Sequence, residues 1–410
     1  MPKNKESSLP FKLLILYILF EYARPQDLIL RSILTKLHPG WVLSLSLLWC
    51  MWKEGKLKFD LPQVKSFLGL IILMILHLPF CVNNYAAYQI LRATIVEFIF
   101  FLSIITYVSD YELLIKFIKL WLKVIILCAI IGIKNHGKIP NSGFMGDEND
   151  FALVMNMAIG MTYFLYFYEE NLKTKIFYIF SACLYVIAVI ASFSRGGFVG
   201  FAGIVFIIWL KSSRKILSFF ILIIIISVFI AYAPSSYWKE IETIKQEGLH
   251  SGTGGARWYL WKLGFKMFLD HPIWGVGPGN FPWTVGKYEP KEEHKRYQER
   301  SHYGRVAHSL YVTVLTELGV VGTFLYFSIF YRNKKDLSPL FRFEKYFSDI
   351  KENKKILVEK LRIITYAIEC AIMGYFFCGI FLTVCYYPHY WFFNALMICI
   401  KQTFDKIIKS

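Results

Sequence analysis

The stretch "KILSFFILIIIISVFIAYA", Lys215 to Ala233, decides the fold class. A strand of a transmembrane barrel is a segment of roughly ten residues with alternating polarity. This run is continuous and aliphatic, and long enough for the roughly 20 residues that a helix needs to cross about 30 Å of hydrocarbon. It reads as a membrane-spanning helix, and runs like it recur almost from end to end. Candidate spans fall at 11–23, 40–52, 66–82, 93–109, 113–133, 150–168, 176–193, 197–210, 216–233, 307–330, 361–384 and 388–405. The expectation is an all-α polytopic membrane protein of about twelve helices. Several of these runs are shorter than the roughly 17 residues usual for a span, which leaves room for a re-entrant pair.

Composition agrees. Of 410 residues, 56% are hydrophobic and only 18% charged, too few charges for a soluble chain of this length. Eight cysteines, among them Cys50, Cys128, Cys183, Cys378 and Cys399, fall mainly in apolar runs and form no CxxC or Cys/His pattern. They read as small residues of a membrane core, not as a disulfide framework. The formal charge of +17 resides in loops between spans, where topology and anionic headgroups account for it, and no nucleic-acid motif is present. The opening "MPKNKESSLPFKLLILYILF" lacks a small-residue cleavage site and reads as a first span, not a removed signal peptide.

With both termini in the cytoplasm, "KEGKLKFDLPQVK", "EENLKTK", "KSSRK" and the very basic stretch after 330 all lie inside, as the positive-inside rule requires. The turn "SFSRGG", the acidic "NSGFMGDENDF" and the long segment 234–306 then lie outside. No repeat or low-complexity tract is visible. The chain, 1–410, reads as a single membrane domain carrying one elaborated outer loop, 234–306, and function is expected on that face. Within the loop, "GARWYLWKLGFKMFLDHP" favours a helix that Asp270-His271-Pro272 stops. At 100° per residue Lys262 and Lys266 share one side, with Arg257 roughly opposite beside Trp261 and Phe268. That pattern suits an interfacial helix.

Four motifs carry polar chemistry. "GVGPGNF", Gly275 to Phe281, matches neither the GxGxxG nor the Walker spacing and follows no strand, so it reads as a shaped turn. "SFSRGGFVGFAG" places Arg195 in a short turn before Gly196, Gly200 and Gly203, whose spacing lets helices approach closely. Arg195 is either a snorkelling arginine or, since short outer turns are normally poor in basic residues, the partner of an anion. "GDENDFAL" gathers Asp147, Glu148, Asn149 and Asp150. Helix capping by Asn149 or Asp150 is the favoured reading and a divalent metal site the competing one. His308 opens a span in "GRVAHSLYVTVLTELGV". A lone histidine is most often a packed residue, yet a helix N-terminus and nearby Arg305 both disfavour the imidazolium, which leaves a neutral imidazole able to act as a general base.

Together, the turn arginine, the "GARW" arginine and "DHPIWGVGPGNF…AHSLYVTVLTELG" resemble the O-antigen ligase family, which shares its signature with O-antigen and capsule polymerases and some O-linked glycosylation ligases. The specific part covers Arg257 to Gly322. "LFEYARPQ" near the N-terminus also resembles ligase members, and reads plainly as a helix end broken by Pro25. The resemblance implies a type C glycosyltransferase membrane fold and metal-independent transfer, with no cofactor. The donor would be a glycan on undecaprenyl pyrophosphate, and the acceptor lipid A core, a protein or a growing glycan, on the periplasmic face of the bacterial inner membrane. It assigns His308 as the base and Arg195 and Arg257 as the pyrophosphate-binding residues. Many members carry asparagine where this chain has Ser309. Ligase and polymerase differ only in acceptor, and both stay open. So does a small-solute transporter in which Arg195 and His308 line a path, although no inverted repeat or matched pair of broken helices favours it.

Overall fold

Proline and short polar side chains set where the helices begin. Pro10, Pro39 and Pro62 occupy first-turn positions where an N–H would go unused. Asn83, Asn171, Ser194 and Ser309 accept first-turn N–H groups as N-caps. A computed structural model of the chain describes residues 8–28, 38–140, 142–212, 252–290, 302–342 and 352–409, with isolated positions between 215 and 227. The expected span 216–233 and parts of the long loop, 234–251 and 291–301, lie outside the described residues.

All regular structure among the described residues is helical. The elements are α1 (Leu9–Ile18, ending in a π-helical turn Leu19–Ala23), α2 (Pro39–Lys53), α3 (Pro62–His77, extended by a 3₁₀ turn to Phe80), α4 (Asn84–Tyr107) and α5 (Tyr111–Lys134). They continue as α6 (Glu148–Tyr168), α7 (Leu172–Ala191) and α8 (Arg195–Lys211). After the gap come α9 (Gly252–Asp270), the short α10 (Phe281–Thr284), α11 (Leu310–Phe341), α12 (Glu352–Gly379) and α13 (Pro388–Lys409). Six of these are long and apolar enough to cross a membrane: α3 with its 3₁₀ turn, α4, α6, α7, α11 and α12. They coincide with the runs 66–82, 93–109, 150–168, 176–193, 307–330 and 361–384. The described residues are all-helical, and these six helices make the protein a multi-pass membrane protein.

The bundle is built around α6 and α12, which make the most extensive helix pair. A methyl group at Gly160 of α6 would meet the Cys370 sulfur of α12 at 2.7 Å, so the small residue sets the spacing. Gly200 and Gly203 of α8 face Cys378 and Phe377 of α12 in the same way, the close approach expected of the "SRGG" glycines. α13 is buried along most of its length, with Trp391 stacked on Phe67 of α3 at 3.9 Å and Tyr390 on Tyr326 of α11 at 4.2 Å. At one end of the bundle the buried Glu369 takes Lys211 at 2.5 Å and Lys334 at 2.6 Å, so a carboxylate at the edge of the apolar core is matched by two cations. The opposite end gathers the polar turns before α6, α8, α11 and α13. α9 and α10 lie over that end with a small core of their own, Leu260, Leu263, Met267, Phe281 and Val285.

Candidate active site

Arg195 is the first residue of α8, and a chain of hydrogen bonds holds the turn that carries it. Ser194 accepts from Gly197 N–H (2.8 Å) and donates to Asn149 Oδ1 (2.6 Å); Asn149 in turn donates from backbone and side chain to Asp147 Oδ1 (2.8 and 2.9 Å). The cap of α6 is thus Asp147, neither Asn149 nor Asp150. The reason is register: the helix starts at Glu148, and only the residue before it can cap. Asp150 instead accepts the Tyr387 hydroxyl at 2.7 Å. Among the described residues no group of three or more His, Cys, Asp or Glu side chains is arranged to hold a metal.

Arg257 reaches the same place from the loop. α9 ends at Asp270, before Pro272, and presents exposed Lys262 and Lys266 on one side. On the other side the Arg257 guanidinium lies over the Phe381 ring at 5.9 Å. Burial and the nearby Arg195 guanidinium hold Arg257 below the usual arginine value, with Asp147 opposing them. One turn further on, Trp261 stacks on Phe381 at 6.3 Å and donates its indole N–H to the Ala307 carbonyl at 2.9 Å. The turn that follows Arg257 therefore grips the residue that precedes His308.

His308 has a left-handed backbone (φ 48°), unusual for a residue with a side chain. It turns the chain between buried Ala307 and Ser309, whose side chain caps α11 by accepting from Val312 N–H. Asparagine is an equally good cap, which explains why either residue suits this position. Burial depresses the His308 pKa below the ordinary histidine value, and Arg257 and Arg305 push the same way while Asp147 raises it. The imidazole is accordingly mainly neutral at pH 7. Arg195, Arg257 and His308, separated by more than fifty residues from one to the next, thus form one electrostatic neighbourhood with Asp147.

Residues 153–327 match the O-antigen ligase family. The match spans all three of these residues, while Asp147 and Phe381, which also border the site, fall outside it. A comparison with curated proteins found no match.

Sequence reasoning passed over the residue that shapes the glycine turn. Glu317, buried in α11, accepts from Gly279 N–H (2.7 Å), Phe281 N–H (3.0 Å) and the Tyr386 hydroxyl (2.7 Å). α11 breaks its helical geometry at Gly319 (φ 62°), and there Val320 and Val321 N–H reach back to the Pro272 and Ile273 carbonyls (2.9 and 3.2 Å). Gly275, Gly277 and Gly279 all have positive φ, and a side chain at Gly275 would strike the Glu317 backbone. The "GVGPGNF" turn is thus moulded onto the kink in "TELG". An acidic residue inside an otherwise apolar run was the available signal.

Proposed function

We propose that this protein is a membrane glycosyltransferase of the O-antigen ligase type, which transfers a glycan from undecaprenyl pyrophosphate to an acceptor hydroxyl. In this reading His308 is the general base. It takes the proton as the acceptor oxygen attacks the anomeric carbon, a carbon–oxygen bond forms with inversion, and the glycosidic bond to the pyrophosphate breaks. The leaving pyrophosphate departs with the bonding electron pair, and Arg195 and Arg257 stabilise its growing charge through fork-shaped donors. A metal has no necessary part in that step, and the reading includes none.

The observation that carries the proposal is the meeting of a neutral histidine and two arginines, from three distant segments, at one end of a membrane bundle. Two guanidinium groups side by side at a partly buried site suit a partner of more than one negative charge, and a pyrophosphate is such an anion. Phe381 gives Arg257 a fixed seat, which favours transition-state charge stabilisation by limiting reorganisation. We place the site on the periplasmic face of the inner membrane, with both termini cytoplasmic and about twelve spans in a type C glycosyltransferase arrangement. The basic residues at the Glu369 end support this orientation. Acceptors in keeping with the reading are lipid A core or protein for a ligase, and a growing lipid-linked glycan for a polymerase.

The test is transfer by Arg195→Ala and Arg257→Ala at matched membrane levels. Each is expected to lose about 10²–10³ in rate, the usual cost of removing one preorganised charge-stabilising donor. Near-normal transfer by either variant removes that arginine from the mechanism.

A further inference from the structure

A second feature lies at the far end of α9. A cleft of about 850 Å³ opens between the end of α3 and the loop 270–288. Its volume is in the range of roughly 300–1,000 Å³ that small-molecule sites occupy. The cleft is two-sided in chemistry. One wall is apolar and continuous with the lipid-facing side of α3: Leu76 is 60% and Phe80 84% exposed, and Ile72 and Ile75 on the same helix are exposed as well. The other wall carries Asp270, His271, Lys287 and Tyr288. Between them the buried Thr284 Oγ1 (residue 4% exposed) has no partner among the described residues. Leaving such an atom unsatisfied costs free energy, so it marks where a ligand's polar group belongs.

We propose that this cleft holds the sugar headgroup of a lipid-anchored saccharide, making it a second glycan site beside the reaction centre. A sugar ring fits the polar wall because its hydroxyls both donate and accept. Asp270 offers an acceptor, already shared with the Tyr288 hydroxyl, and Lys287 offers a donor. Trp274, about half exposed on the rim, presents an aromatic face to the apolar side of a pyranose. A phospholipid headgroup fits less well. Among the described residues that line the cleft, Lys287 is matched in charge by Asp270, which leaves a bare phosphate little net attraction. The apolar wall, continuous with the exposed apolar side chains of α3, favours an occupant that itself bears a lipid chain.

Position adds to the case. Thirteen residues separate Arg257 from Asp270, about 20 Å along α9 at the usual helical rise. An occupant of the cleft is therefore distinct from the anion held at Arg195 and Arg257. The wall is preformed, because Glu317 locks the glycine turn that supplies Gly275 and Val276 and leads into α10 with Thr284.

The role assigned to the cleft rests on the glycosyl-transfer reading, but its test does not. Full-length protein in detergent is titrated with a neutral probe, digalactosyl diacylglycerol, and bound lipid is followed by native mass spectrometry with phosphatidylglycerol as competitor. The wild type is expected to retain the glycolipid against an equal amount of phosphatidylglycerol. Thr284→Val, which keeps the side-chain shape, and Trp274→Ala, on the exposed rim, are each expected to weaken retention by about fivefold, the loss of one hydrogen bond or stacking contact. Arg195→Ala is expected to bind as the wild type does. Equal retention by both cleft variants, displacement by phosphatidylglycerol, or loss of binding in Arg195→Ala overturns the proposal. Because no glycan transfer is measured, failure here and failure of the transferase reading are separable.

Discussion

His308 combines a left-handed backbone with an imidazole kept neutral by burial and by Arg257. For a base that must be unprotonated, the sign follows directly. Activity is full at neutral pH and is lost as pH falls through a pKa lying below the ordinary 6.5. The acid limb of kcat/KM is therefore expected below pH 6.5. Asp147→Asn removes a carboxylate that favours the imidazolium while keeping a good N-cap, so the limb is expected to move to still lower pH. Arg305→Gln, at an exposed position, is expected to move it slightly the other way. A pH profile unchanged by both substitutions would show that His308 does not govern the acid limb. The candidate residues themselves were legible in the sequence, because an arginine in a short turn and a histidine at a span's mouth are unexpected there. Asp147 was misread by two positions, since its neighbours Asn149 and Asp150 are equally good caps and only the helix start separates them.

α11 and the glycine turn form one unit, joined at Glu317 and Gly319. Removing the Glu317 carboxyl leaves the Gly279 and Phe281 N–H groups and the Tyr386 hydroxyl without their acceptor, at about 1–3 kcal/mol for each group that stays buried. Glu317→Leu is expected to destabilise the protein strongly in thermal unfolding. Glu317→Gln keeps one acceptor oxygen, and should lose only part of that stability. Equal unfolding midpoints for wild type and both variants would contradict the clamp. The end of α9 at Asp270, the glycine turn and the close packing of the "SRGG" helix could all be read from the chain, because proline, glycine and small-residue spacing act locally. The clamp could not. Its donors lie 36, 38 and 69 residues from Glu317 in sequence, and nothing local links them.

Across the molecule, hydropathy gave a helical membrane bundle, since continuous apolar runs such as those of α4 and α6 satisfy their backbone groups in lipid as helices. Which helices cross was harder to read. α1, α2 and α8 are short, and α5 carries Lys116, Lys119 and Lys123 along its length. The meeting of Arg195, Arg257 and His308 was not legible from spacing at all, and came only with the resemblance to the ligase family. It depends on α8, α9 and α11 ending at one face of a bundle packed around α6 and α12. The measurement that tests this most directly is a surface-glycan gel from a strain lacking the gene, complemented with wild type or with His308→Ala, both proteins being verified in the membrane. The account predicts that long chains stay on the carrier lipid in the deletion strain, or single repeats if the acceptor is a growing glycan. Only the wild type restores transfer, with His308→Ala down by about 10²–10⁴. Surface glycan unchanged by the deletion, or restored in full by His308→Ala, would contradict it.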